Sequence, residues 1–137
     1  MPTETVLFLC TGNSARSQMA EGLLRAKAGG RFDVRSAGTE PAAGVHPLAV
    51  GAMAELGIDI ASQRPKNAAE ALAGAGDHHL IVVCDGASHA CPTGFPGGMT
   101  RTFWPIEDPS REGTIERFRS ARDELASRID DWLSERG

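Results

Sequence analysis

"VLFLCTGNSARSQMAEGLL", residues 6–24, passes from an apolar run through a cysteine and a small polar loop into a helical pattern. Residues 5–9, TVLFL, read as a buried strand. Ser17 is a suitable N-cap for a helix over residues 17–28, which places Met19, Leu23 and Leu24 on one side. A cysteine six residues ahead of an arginine is common by chance. Strand, tight loop and amphipathic helix around that spacing form a much more specific context. Cys10 then has two readings: a core residue that closes a strand, or a nucleophile facing a ring of backbone amides.

The rest of the chain repeats the alternation. Strands are predicted at 32–37 (FDVRSA), 79–84 (HLIVVC) and 100–104 (TRTFW). Helices are predicted at 46–56, ending at Gly57 as C-cap, at 67–73, and at 114–134. In the last of these Ile115, Phe118, Leu125, Ile129, Trp132 and Leu133 recur near helical period. Pro and Gly cluster at 38–47 and 92–98, which read as loops within one domain over residues 1–137. The order β-α-β-α-α-β-β-α implies an α/β domain with a mainly parallel sheet. Ligands of such sheets bind beyond the carboxyl ends of the strands, where Cys10 and Cys84 both fall.

Bulk properties narrow the function. The 137 residues carry a net charge of −4, which argues against a general nucleic-acid binder. No apolar run approaches the length of a membrane span, and the start lacks a secretory signal pattern, so a cytoplasmic location and no membrane partner are expected. Three cysteines, at 10, 84 and 91, make an odd set ill suited to a secreted disulfide framework. In a reducing compartment cysteines are more often catalytic, redox-active or metal-binding.

The loop CTGNSARS, residues 10–17, has the composition of an anion nest. Gly12, Ser14 and Ala15 let the backbone curl so that several N–H groups converge, and the helix N-terminus behind them adds its dipole. Arg16 offers a fork of donors to two oxyanion oxygens. The same groups favour a Cys10 thiolate, and Ser17 can donate its hydroxyl to it.

CTGNSARS and the Asp108–Pro109 pair resemble the low-molecular-weight protein tyrosine phosphatase fold. The aromatic residues that usually follow that pair are absent: Ser110 stands there, and the chain has no tyrosine. With the C-x6-C pair Cys84–Cys91, and with SAGTEP (36–41) and GIDI (57–60), the whole chain is similar to the thioredoxin-coupled arsenate reductases built on that fold. The resemblance implies a three-layer sandwich with a four-stranded, mainly parallel sheet. It implies oxyanion binding by Thr11, Gly12, Asn13, Ser14, Ala15 and Arg16, attack by Cys10, proton donation by Asp108, and resolution by Cys84 and then Cys91. Thioredoxin would be the reductant and a monomer the expected state, with no cofactor and a weak phosphatase side activity. Asn13, Glu21 and Ser36 would support the loop, with Ser36 bonding to Asn13. Some relatives hold a monovalent cation near these residues with a further acidic group. Here that segment reads ASQRPKN (61–67), without one, which speaks against a potassium site and leaves no metal assigned.

Rival readings stand beside this one. The chain is a phosphatase whose extra cysteines sense redox state, or a thiol module that binds arsenite or a metal. Cys84, His89 and Cys91 make a C-x4-H-x-C set whose spacing is unlike the usual zinc clusters. His46 reads as structural at a helix start, and His78 and His79 as solvated or capping. Glu21 also reads as an exposed first-turn carboxylate favoured by the helix dipole.

Overall fold

The computed structural model describes residues 4–71, 73, 78–83 and 99–135. Four strands among them, β1 (Glu4–Cys10), β2 (Phe32–Gly38), β3 (His78–Val82) and β4 (Met99–Phe103), form one sheet in the order β2-β1-β3-β4. Every pairing is parallel. The helices are α1 (Arg16–Ala28), α2 (Pro47–Ala54), α3 (Ala68–Ala71) and α4 (Ile115–Glu135), with short 3-10 turns at Gly29–Arg31 and Pro109–Arg111.

The apolar run of β1 is explained by burial on both faces. Val6 and Phe8 face a large core shared with Met19, Leu23 and Leu24 of α1 and Phe118, Leu125 and Ile129 of α4. Leu7 and Leu9 face a smaller core with Ala37, Leu80, Val82 and Ala71 of α3. Helices therefore cover both faces, as the three-layer expectation requires. Complete burial of a side chain such as Phe8 contributes about 1.5–3 kcal/mol. α4 buries Phe118, Ala121, Leu125, Ile129 and Trp132 as one stripe, while Ile115 and Leu133, expected on the same face, are half-buried at its edge. No helix among the described residues is long and apolar enough to cross a membrane.

Three local expectations need correction. α1 starts at Arg16 with Ala15 as its N-cap, so Ser17 lies inside the helix with its hydroxyl turned to other work. α2 ends at Ala54, and Gly57, at φ 75°, closes the following turn as Ile58 N–H donates to Met53 C=O and Gly57 N–H to Ala54 C=O. His79 is part-buried and partnered: its Nε2 lies 2.7 Å from Glu4 Oε2 and its ring meets Trp132 edge-on. His46 is structural as expected; its Nδ1 accepts from Leu48 N–H and caps α2.

The sheet order places the reversal of winding between β1 and β3. The chain leaves β1 towards β2 on one side and returns as β3 on the other, which opens a crevice beyond their carboxyl ends. Cys10 is the last residue of β1. Cys84 and Cys91 lie outside the described residues, as does His89.

Candidate active site

Residues 11–15 carry the chain from β1 into α1 without regular structure. The carbonyls of Cys10, Thr11, Gly12 and Ser14 are taken by the segment that follows β2. Thr39 N–H donates to Cys10 C=O, Glu40 to Thr11, Ala42 to Gly12 and His46 to Ser14. A trans peptide is planar, so a carbonyl that faces this segment turns the next N–H to the opposite side. The amides of Thr11, Gly12, Asn13 and Ala15 are thereby directed inward. One of them is seen at work: Asn13 N–H donates to Cys10 Sγ at 3.2 Å.

Asn13 makes the tight turn, with φ 50°, a conformation that asparagine tolerates better than most residues. Its side chain is buried and bonded at both ends. Oδ1 accepts from Lys66 N–H at 3.0 Å, and Nδ2 donates to Ser17 Oγ at 2.7 Å. Ser17 Oγ in turn lies 2.9 Å from Cys10 Sγ. Cys10 itself is buried and has a free thiol.

Arg16 is 6% exposed and points across the sheet edge. Its Nη1 donates to Ile106 C=O at 3.0 Å, and its Nη2 lies 3.9 Å from Asp108 Oδ2. Asp108 caps the Pro109–Arg111 turn, its Oδ1 accepting from the Ser110 amide and hydroxyl. Burial alone pushes the Asp108 carboxyl up. Hydrogen bonds from the Ser110 hydroxyl and amide, with the charges of Arg16 and Arg111, outweigh it and hold the group below its ordinary range.

Behind the loop, Ser36 Oγ donates to Glu21 Oε1 at 2.5 Å. This corrects the expected Ser36–Asn13 bond: Ser36 supports the helix behind the loop, and Asn13 is held by Ser17 and Lys66. Glu21 is 3% exposed, which removes the reading of a solvated first-turn carboxylate.

The structure thus brings Cys10, Asn13, Arg16, Ser17 and Asp108 to one edge and sets Glu21 and Ser36 beneath. Residues that sequence reasoning missed complete the support. Gln18 is fully buried and donates from Nε2 to Asn13 C=O at 2.9 Å. Gln63 Nε2 donates to Gln18 Oε1 at 2.7 Å, tying the segment after GIDI to the loop. A buried glutamine one position before the apolar Met19 was the only signal of this network, and it becomes meaningful only when the partners are in place.

A thiol held by two hydrogen bonds, inward amides, a buried guanidinium and a carboxyl beside it form a centre for nucleophilic attack on a tetrahedral oxyanion. The sequence pattern of the low molecular weight phosphotyrosine protein phosphatases matches residues 5–136, and the chain belongs to that family. An arsenate reductase of Halalkalibacterium halodurans is 43% identical over 134 residues, 94% of each chain. A solved arsenate reductase in its phosphate-binding state superposes with a TM-score of 0.80 at 30% identity, covering 97% of this chain and 98% of the other. A Corynebacterium glutamicum thioredoxin-dependent arsenate reductase superposes with a TM-score of 0.76 at 33% identity, covering 98% of this chain and 62% of that one.

Proposed function

We propose that this protein is an arsenate reductase that works by a three-cysteine relay and is regenerated by thioredoxin. The single observation that carries the reading is a buried Cys10 thiol contacted by Ser17 Oγ and the Asn13 amide in a chain similar over 94% of its length to an arsenate reductase. The further cysteines at 84 and 91 support the electron-carrying part.

Arsenate enters the amide nest and its oxygens meet Arg16. The Cys10 thiolate attacks arsenic, Asp108 protonates the departing oxygen, and water leaves. The Cys84 thiolate then attacks Cys10 sulfur. The sulfur–arsenic bonding pair passes to arsenic, which leaves as arsenite, and a Cys10–Cys84 disulfide forms. Cys91 attacks Cys84, freeing the Cys10 thiolate and leaving a Cys84–Cys91 disulfide. A thioredoxin dithiol reduces that bridge.

The test is mass spectrometry of the disulfides after arsenate turnover in the absence of reductant. A Cys84–Cys91 bridge formed with release of one arsenite is the expected result. Arsenate-independent oxidation, with steady hydrolysis of a phosphate ester, would instead identify a phosphatase with redox-sensing cysteines.

A further inference from the structure

The carboxylate beneath the anion loop is already neutralised. Glu21 is buried, with Oε1 accepting from Ser36 Oγ at 2.5 Å and Oε2 ion-paired to Arg25 Nη1 one turn along α1. Arg25 is fixed from other sides too. Its Nη2 donates to Val34 C=O of β2 at 2.8 Å, and its Nη1 reaches Gln63 Oε1 at 3.5 Å. From Gln63 the chain of hydrogen bonds runs through Gln18 to the carbonyl of Asn13 in the loop.

The donor set does not fit the monovalent cation that some relatives hold near these positions. The one carboxylate of the set, Glu21, already carries the Arg25 guanidinium on Oε2 and the Ser36 hydroxyl on Oε1, and Asn13 Oδ1 already accepts from the Lys66 amide. A second positive charge stands nearby. Lys66 Nζ donates to Arg64 C=O at 3.0 Å; burial depresses its ammonium, and the field of Glu21 acts in the opposite sense. An added ion would meet two fixed cations and no free carboxylate oxygen.

We infer that Arg25 is a positioning residue, the built-in counter-cation of Glu21 that holds the floor of the Cys10 loop without a bound monovalent ion. A buried carboxylate stripped of its partner is strongly unfavourable, and its strain would be felt by the loop that Gln63 and Gln18 brace. The inference concerns the loop itself and holds whichever oxyanion the loop takes.

The experiment measures the Tm of the full chain and its affinity for inorganic phosphate, in potassium chloride and in tetramethylammonium chloride at equal ionic strength. For the wild-type protein both quantities are expected to be the same in the two salts. Arg25→Met should lower Tm and weaken phosphate binding, and Arg25→Lys should restore most of both. Glu21→Gln added to Arg25→Met should recover Tm, because the unpaired buried charge is gone. A merely structural role through Val34 and Gln63 gives no such recovery. A saturable effect of potassium on the wild-type protein overturns the inference, as does a double variant no more stable than Arg25→Met. If Arg25→Met does not fold, the wild-type salt comparison and the double variant still decide.

Discussion

Ser17 Oγ lies 2.9 Å from Cys10 Sγ while accepting a 2.7 Å hydrogen bond from Asn13 Nδ2. A hydroxyl has one proton, and with its oxygen accepting from Asn13 that proton is free to point at sulfur. With that proton directed at sulfur the bond stabilises negative charge there, and hydrogen bonds to charged groups are worth about 1.5–3 kcal/mol. Ser17→Ala should slow alkylation of Cys10 at neutral pH by roughly tenfold or more. The first step of arsenate turnover should slow in parallel. Timed iodoacetamide labelling followed by peptide mass analysis reads this directly, and an unchanged labelling rate would remove Ser17 from the activation of Cys10.

Asp108 is held below the ordinary carboxylate range by Ser110, Arg16 and Arg111 against the opposing effect of burial. Before an oxyanion enters, it is therefore ionised at neutral pH. A bound oxyanion puts negative charge beside it and shares Arg16, both of which raise it. In the proposed reaction the acid is thereby armed by its own substrate. Asp108→Asn should slow single-turnover formation of the arsenic–sulfur bond by about 10²–10⁴-fold. Phosphate binding should stay nearly intact. If Asp108 is the acid, the wild-type rate should fall as pH rises through the carboxyl's value in the complex, since the acid must be protonated to act; the variant should lack that limb.

Much of this arrangement was legible in residues 6–24, because the apolar run, the small-residue loop and the helical stripe each impose one local geometry. The existence of the strands and the parallel character of the sheet followed from the same patterns elsewhere. The hydrogen-bond partners were not legible. Ser17 looked like an N-cap because serine before a helical stripe usually is one, yet its hydroxyl found a sulfur seven residues back and α1 began a residue earlier. Ser36 found Glu21, since β2 lies beside β1 and α1 crosses the same face, a fact of topology that no local window contains. His79 looked polar and exposed until Glu4 and Trp132 closed around it.

Cys91→Ser isolates the middle of the proposed relay. Cys84 can still resolve the Cys10 adduct, but nothing then frees Cys10. One arsenite per protein and a trapped Cys10–Cys84 disulfide are expected by mass spectrometry. Sustained cycling of this variant with thioredoxin would show that Cys91 is no part of the relay.

Glu55 joins α2 to α4 through two arginines. Hydrogen bonds from Arg119 and then Arg122 lower its carboxyl from 4.5 to about 2. A carboxyl depressed in the folded state contributes stability that is present above its unfolded value and is lost as pH falls through the folded one. Glu55→Gln should therefore lower the urea midpoint at pH 7. The gap to wild type should narrow between about pH 4.5 and about pH 2 and close below that. Added salt should shrink it at neutral pH, because the Glu55–Arg119 pair is exposed.

Gly38 pairs with Cys10 across the sheet and lies directly behind the loop. A Cβ there would stand 2.6 Å from Thr11 O and 2.9 Å from both Cβ and N of Asn13. These are backbone and loop atoms, unable to swing aside as a long side chain does. Gly38 is itself tied by its N–H to Lys66 C=O at 2.8 Å, so the strain must go into the loop. Gly38→Ala should cost about 1–3 kcal/mol of stability, as overpacking does. Its effect on function should be larger in proportion. Displacing Asn13 breaks the 3.2 Å contact of its N–H with Cys10 Sγ and disturbs the amides proposed to receive the oxyanion. A displacement of about 1 Å at a reacting centre can cost on the order of 10²-fold in rate. Gly44→Ala is the control, because its added Cβ meets nothing within 4 Å. Calorimetric phosphate titration and single-turnover arsenate reduction should separate the two variants, and a Gly38→Ala protein with wild-type phosphate affinity would show that the loop is not seated on Gly38.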